Sequence, residues 1–166
     1  MMDKRVLTLI VIAGMALCSC GAPKVALSPN TATTTFECIQ MTGDNSCIVN
    51  VQEMGRDIQA ASSNAIKYAV NELLFNGIPG SSSNRIPFVK PLIPNSDIKE
   101  ANRGYFESLF SSGDYRRYAE LFGSMPPQVV KTNSGYKVTV TLVVKKELLR
   151  KKLEYDGIIK SLSNVL

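Results

Sequence analysis

Residues 56–77 decide the fold, and they read RDIQAASSNAIKYAVNELLFNG. Small and apolar side chains recur there every three or four positions, which predicts an amphipathic helix. Gly77 follows the last apolar turn and is a natural C-cap. Because a stripe of alanines lets a helix lie close against a sheet, we expect a sheet beneath the stripe formed by Ile58, Ala61, Ala65, Ala69 and Leu73.

Strand patterns lie on both sides of this helix. Residues 34–41 and 46–54 are rich in β-forming side chains and flank a turn-forming segment, which predicts a β-hairpin. Residues 135–144 read GYKVTVTLVV and alternate strictly, which predicts a strand with one buried face. The side chains that we place on the buried face are those of Val138, Val140, Leu142 and Val144.

The remaining segments predict a loop and further helices. Residues 78–99 contain four prolines and predict a loop with a short extended piece at 86–90. From Asp97 onward, with Ser96 as the N-cap, EANRGYFESLF and DYRRYAELF read as two short helices. They contain the aromatic insert, defined as residues 105–122. Residues 145–157 read as a final helix that docks through Leu148, Leu149 and Leu153.

These elements together predict an α+β fold. An antiparallel sheet, made of the hairpin and the later strand, packs against the long Ala-rich helix. The helical insert and the C-terminal helix complete the domain.

The first twenty residues read MMDKRVLTLIVIAGMALCSC. Lys4 and Arg5 precede an apolar run at residues 6–17, which is shorter than the roughly 20 residues that a membrane-spanning helix needs. The pattern predicts a signal peptide over residues 1–19. Residues 20–33 are mostly small or polar and predict a lipidated cysteine and flexible tether, which leaves residues 34–166 for a single domain.

The end of this segment, Leu17-Cys18-Ser19-Cys20, resembles the lipobox of bacterial lipoproteins. The resemblance implies that Cys20 is acylated and anchors the protein to a membrane. Cys18 is the alternative acceptor, although bulky Leu17 precedes it where the pattern has a small residue, and an ordinary signal peptide is the other interpretation. Gly21 after the cysteine implies sorting to the outer membrane, on its periplasmic face.

Composition excludes several kinds of chemistry. The chain has 19 Lys and Arg against 14 Asp and Glu, a charge of +5, and no histidine. The missing histidine excludes Ser-His-Asp catalysis and histidine-ligated zinc. Loss of residues 1–19 leaves 17 basic and 13 acidic side chains, a charge of +4. We predict no enzyme, no cofactor and no metal site, and, because the chain is exported, no nucleic-acid partner.

Two cysteines remain in the domain, Cys38 and Cys47. They lie on opposite arms of the predicted hairpin, in a compartment where disulfides persist. A two-residue turn at 42–43 would bring them face to face, whereas a longer turn over 43–45 would put them out of register. They are therefore either a disulfide or a pair of half-buried thiols.

The aromatic insert offers two further hypotheses. Tyr115 and Tyr118 are candidate ligand-binding residues if the insert forms a platform for a glycan or small molecule. The carboxylates of the region could serve a hydrolase only if two of them converge in one cleft. Aromatic residues in this pattern more often form core, and carboxylates on short helices more often face solvent. The carboxylates are Glu100, Glu107, Asp114 and Glu120.

The order of the motifs resembles a group of uncharacterised lipoproteins from Bacteroides-like bacteria. The resemblance spans roughly residues 35–160 and rests on NELLFNGI at 71–78, the aromatic run at 105–110 and YKVTV at 136–140, which leads into the final helix. More distantly, the succession of strand, Ala-rich helix and strand is similar to the N-terminal domain of flagellar assembly protein T and to small envelope lipoproteins. No catalytic residue carries over from either group.

The functional prediction follows from the N-terminal signal sequence and from the resemblance to envelope lipoproteins. We expect an outer-membrane-anchored periplasmic lipoprotein that acts as a non-enzymatic interaction or assembly module, with other envelope proteins as its partners. The alternative is a glycan- or small-ligand-binding lipoprotein that uses the aromatic insert.

Overall fold

The structure, a computed structural model, describes residues 36–161. Within that range an antiparallel sheet of five strands combines with four α-helices, which confirms the predicted α+β fold. The elements in chain order are β1 (Phe36–Met41), β2 (Cys47–Gly55), α1 (Ile58–Phe75), α2 (Ser96–Ala101), α3 (Arg103–Ser111), a 3₁₀ helix (Asp114–Arg117), β3 (Ala119–Leu121), β4 (Gln128–Thr132), β5 (Gly135–Val144) and α4 (Lys146–Tyr155).

β5 is the central strand of the sheet. It pairs with the whole of β2, from Cys47 opposite Val144 to Gly55 opposite Tyr136. β1 lies on the outer side of β2, so the predicted hairpin is present. On its other side β5 pairs with β3 near its end and with β4 near its beginning. The alternation expected for β5 is confirmed, because every second residue from Val138 to Val144 is buried.

Helix α1 packs across one face of this sheet. The Asp57 carboxylate caps its start by accepting from the N–H of Ala60 at 2.7 Å. Ala61, Ala65 and Ala69 are fully buried, as the stripe predicts, whereas Ile58 at the first position is exposed. The backbones come so close that a Cβ on Gly55 would lie 2.3 Å from the backbone nitrogen of Ala61. The small side chains therefore set the distance between helix and sheet.

The chain leaves α1 through Gly77. Asn76 is the C-cap, and Gly77 follows it with φ of +87°, a left-handed conformation that favours glycine. The N–H of Gly77 donates to the carbonyl of Glu72 at 2.6 Å. Ile78 then pairs with Val89, which is the short extended piece expected in the proline-rich loop.

The second half of the aromatic insert differs from its prediction. DYRRYAELF is not a helix: residues 114–117 form one 3₁₀ turn and residues 119–121 form β3. Gly113 has φ of +85°, which ends α3, and Ala119 pairs with Val144 of β5. Pairing with β5 therefore outweighs the local helix propensity of this segment.

Two smaller expectations are also corrected, and one strand is new. Asn95, not Ser96, caps α2, since its side-chain oxygen accepts from the N–H of Asp97 at 2.8 Å. Strand β4, which no sequence pattern predicts, pairs with β5 as the first arm of a hairpin. Leu148 is 49% exposed and does not dock, because Leu149 and Leu153, one helical turn apart, occupy the buried side of α4.

Candidate functional site

The predicted lipid anchor lies outside the described residues. Cys20, the signal peptide at 1–19 and the tether at 20–33 all precede residue 36, where the description begins. Among the residues that are described, no helix is long and apolar enough to cross a membrane. The anchor therefore stays a prediction from the sequence.

Cys38 and Cys47 are buried free thiols on neighbouring strands. The turn between their strands covers residues 42–46, so it is the longer of the two turns considered, and Cys38 lies opposite Val49 rather than opposite Cys47. The two thiols are diagonal neighbours on the helix-facing side of the sheet. The disulfide stays a prediction, and this register requires it to form on the diagonal.

Met41 brings a third sulfur to the two thiols. The thiol of Cys47 donates to Met41 Sδ at 3.5 Å, and the thiol of Cys38 lies 3.7 Å from the same atom. Burial raises the pKa of the Cys38 thiol. It raises the pKa of Cys47 to about 12, although the positive charge of Lys146 opposes the change. Both thiols are therefore protonated near neutral pH.

The two tyrosines proposed for ligand binding are core residues. Tyr115 is 6% exposed and Tyr118 is 4% exposed. The Tyr115 ring packs against Phe110, with 5.9 Å between ring centroids. Little of either ring is therefore open to a stacked ligand, although Tyr118 borders two cavities beside α4, of about 220 and 440 Å³. Burial is also the main cause of the raised pKa of Tyr118.

Other residues of the insert line the largest cavity described, about 720 Å³ between α1 and the α2–α3 segment. Phe75, Phe106 and Phe110 supply aromatic walls. Lys99 Nζ lies 4.3 Å from the centroid of the Phe75 ring, and Lys67 Nζ lies 5.7 Å from that of Phe110. Aromatic surface beside ammonium groups suits a small anionic molecule with an apolar part.

The acidic residues of the insert are distributed over several sites. Glu100 and Glu107 border the large cavity, and Arg103 holds Glu107 in an ion pair at 2.8 Å. Asp114 borders the small cavity, and Glu120 pairs with Lys145 at 2.6 Å. Of the two carboxylates that border the large cavity, Glu107 is neutralised by Arg103. Glu100 and Glu107 therefore resemble the charge-balanced residues of a solvated surface.

An exposed apolar surface lies at the β3–β4 edge of the sheet. Its side chains are between 38% and 60% exposed, and they make up half of the large exposed apolar side chains among the described residues. Sequence patterns do not predict this surface, because the helix predicted at DYRRYAELF takes the place of β3 and no element is predicted at β4. We call it the apolar edge and define it by Leu121, Phe122, Met125, Val129 and Val130.

Comparison with known proteins adds no assignment to these sites. No family model, no curated protein and no solved structure matches the chain. The resemblance to Bacteroides-type lipoproteins therefore stays a prediction, and the function is argued from the geometry of the described residues and from the N-terminal sequence.

Proposed function

We propose that this protein is an outer-membrane-anchored periplasmic lipoprotein that acts as a non-enzymatic interaction or assembly module of the cell envelope. The lipobox-like sequence that ends at Cys20 supports the anchor, and Gly21 supports the outer membrane. One structural observation carries the interaction role, and it is the exposure of the apolar edge.

The apolar edge has the properties of a binding surface. Large apolar side chains gain free energy when a partner removes them from water, about 25 cal/mol for each Å² of apolar surface buried. Five of them lie within ten residues of sequence on one edge of the sheet. Exposed apolar side chains concentrated in one part of a surface are typical of sites of protein–protein contact.

Strand β4 adds an unpaired backbone to this surface. One side of β4 bonds to β5, and within residues 36–161 no strand pairs with its other side. Natural edge strands are protected by charged residues, and in β4 only Lys131 has this effect. A partner that presents an extended segment can bond to the free side of β4, and its side chains can cover Val129 on one face of the sheet and Val130 on the other.

The test is co-purification of partners from detergent-solubilised envelopes after cross-linking in cells. The variant Val129→Lys/Val130→Lys places two charges on the apolar edge, and we expect it to lose the partners that the wild-type protein retains. Leu148→Lys is the matched control, since it places a charge at an equally exposed leucine on α4. Recovery of wild-type protein alone, or of the same partners with the double variant, would contradict the assembly role.

The large cavity supports a second candidate function, that of a glycan- or small-ligand-binding lipoprotein. Its support is the position of Phe106 and Phe110, which belong to the aromatic insert and line the cavity. Binding of soluble peptidoglycan fragments, lost in Phe110→Ala and retained in Phe88→Ala, would favour this function. Phe88 is an exposed aromatic residue outside the cavity lining, and it therefore serves as the control.

A further inference from the structure

Three sulfur atoms meet at the turn end of the β1–β2 hairpin, and we call Cys38, Met41 and Cys47 the sulfur cluster. Met41 Sδ lies 3.5 Å from the sulfur of Cys47 and 3.7 Å from that of Cys38. Cys38 and Cys47 are diagonal neighbours on one face of the sheet. Met41 Sδ therefore lies within contact distance of both thiols.

A β-bulge creates this cluster. Side chains three positions apart on a regular strand point to opposite faces, so Cys38 and Met41 would be separated by the sheet. The register shift between Cys38 and Gln40 adds one residue to β1 and returns Met41 to the face of the cysteines, opposite Cys47. Bulges that redirect a side chain in this way are common beside functional sites.

We propose that the sulfur cluster is a copper(I) site with three ligands, the sulfurs of Cys38, Met41 and Cys47. Thiolate and thioether sulfurs are soft ligands, and copper(I) is the biological metal ion that prefers this combination. The proposal does not rest on the lipid anchor or on the assembly role.

The spacing of the sulfurs fits such an ion. Metal–sulfur bonds of about 2.3 Å in a flat trigonal site require sulfurs about 4 Å apart. The separations of Met41 Sδ from the two cysteine sulfurs, 3.5 and 3.7 Å, differ from this by a few tenths of an ångström. Small side-chain rotations are enough to admit the ion.

The ligand set also discriminates against zinc. Structural zinc sites use four ligands, which are thiolates, imidazoles or carboxylates. Among residues 36–161 no group of three or more His, Cys, Asp or Glu side chains could hold a metal ion. The third ligand here is a methionine, whose thioether suits copper(I) and is not among the usual zinc ligands.

The protein supplies a positive charge near the site and a route to it from the surface. Each thiol loses its proton to solvent when its sulfur bonds to the metal, so two thiolates and one copper(I) leave a site charge of −1. Lys146 is the cation that acts on Cys47. Both cysteines are buried, whereas Met41 is 37% exposed and gives the ion a route from the surface.

A disulfide between Cys38 and Cys47 is the competing state, because it uses the same two sulfurs. The redox state of the thiols in cells is therefore part of the test. Cells are quenched with acid to prevent thiol exchange, the protein is unfolded in denaturant with a thiol-alkylating reagent, and the modification of Cys38 and Cys47 is measured by mass spectrometry. We expect both to be alkylated, and finding them joined as a disulfide would overturn the proposal.

Binding is measured on the full chain with Cys18→Ala and Cys20→Ala, which removes the other two cysteines. The reduced protein is titrated without oxygen against a coloured copper(I) chelator. We expect it to withdraw one copper(I) per chain, and X-ray absorption should show three sulfur neighbours at about 2.3 Å. Failure to withdraw copper from the chelator would overturn the proposal.

Variants then identify the ligands. Met41→Leu, a conservative change at a partly exposed position, should weaken copper(I) binding by about 10- to 100-fold or more, since even indirect neighbours of a metal contribute this much. Cys47→Ala should abolish binding. Met125→Leu is the matched control, because Met125 is exposed and lies in another part of the chain, and it should bind like the parent. Equal binding by Met41→Leu would contradict the three-sulfur site.

Discussion

At the scale of single residues, one polar cluster connects helix α3 to the end of α4. The hydroxyl of Tyr105 donates to Oδ2 of Asp156 at 2.6 Å, and Lys152 Nζ donates to Oδ1 at 2.7 Å. The hydrogen bonds from Lys152 and Tyr105 lower the pKa of the Asp156 carboxyl. Burial, together with the carboxylate, raises the pKa of Tyr105. The cluster therefore contains a carboxylate whose ionised form stabilises the fold.

Removing the Tyr105 hydroxyl tests this cluster. We expect Tyr105→Phe to lower the free energy of unfolding by about 1–2 kcal/mol at pH 7, as measured by urea denaturation, because a hydrogen bond to a charged acceptor is lost. The lowered pKa of Asp156 means that its contribution is complete above the unfolded-state value of about 3.9. The contribution is lost as the pH falls through the native value, so the difference between the two proteins should shrink in that range.

The control for this prediction is Tyr115→Phe. It removes a hydroxyl from the same insert without removing a hydrogen bond to Asp156, and it should leave the acid dependence of stability unchanged. The pKa of Asp156, followed by NMR, should rise in Tyr105→Phe. An unchanged pKa would show that Tyr105 does not act on this carboxylate.

The residue scale also shows what side-chain patterns predict well. The alternating pattern of β5 predicts its buried face correctly, because alternation follows from strand geometry alone. The direction of Leu148 was wrong, because two adjacent leucines on a helix point about 100° apart and only the partner surface decides between them.

At the scale of elements, helix α1 and the sheet are joined by small side chains. The buried alanines and Gly55 allow the backbones to approach closely. An interior packed at this density has little room for additional methylene groups. Enlarging one alanine must therefore move the helix or distort the sheet.

Ala69→Leu tests this packing. We expect the free energy of unfolding to fall by about 1–3 kcal/mol, because the larger side chain overpacks a fully buried position. Gln59→Leu places the same side chain at an exposed position of the same helix and should change stability by no more than about 0.5 kcal/mol. Calorimetry on both variants makes the comparison, and equal stability of the two would contradict the close packing of α1.

The same scale explains the wrong helix at DYRRYAELF. Its apolar residues have helical spacing, and no proline interrupts them. The segment instead follows Gly113 into one 3₁₀ turn and then adds β3 to the sheet, where the carbonyl of Tyr118 accepts from the N–H of Lys145 at 2.8 Å. Pairing with a distant strand is a tertiary interaction, and local periodicity carries no information about it.

At the scale of the whole molecule, the proposed anchor makes a direct prediction about location. Cys20→Ala should lose incorporation of an alkyne-labelled fatty acid and should move the protein from the membrane fraction to the soluble periplasmic fraction. The physical reason is that acyl chains supply the membrane affinity, about 0.8 kcal/mol for each buried CH₂ group.

Cys18→Ala is the control for the anchor. It removes the neighbouring cysteine, and the label should be retained if Cys20 is the acceptor. Loss of the label in Cys18→Ala and its retention in Cys20→Ala would instead assign the lipid to Cys18. Absence of label from the wild-type protein would contradict lipidation altogether.

The sequence by itself determined the α+β class, helix α1, the β1–β2 hairpin and the alternation of β5, since each of these follows from local periodicity and turn chemistry. It also supplies the whole argument for the lipid anchor at Cys20, which lies before the described residues.

Only the tertiary structure decided which side chains meet or remain open. It buried Tyr115 and Tyr118, exposed the apolar edge, and through one extra residue in β1 brought Met41 to the two cysteines. These outcomes depend on the register between strands and on which surfaces another element covers. A residue's neighbours along the chain do not contain that information, because the contacts that decide it are made across the sheet.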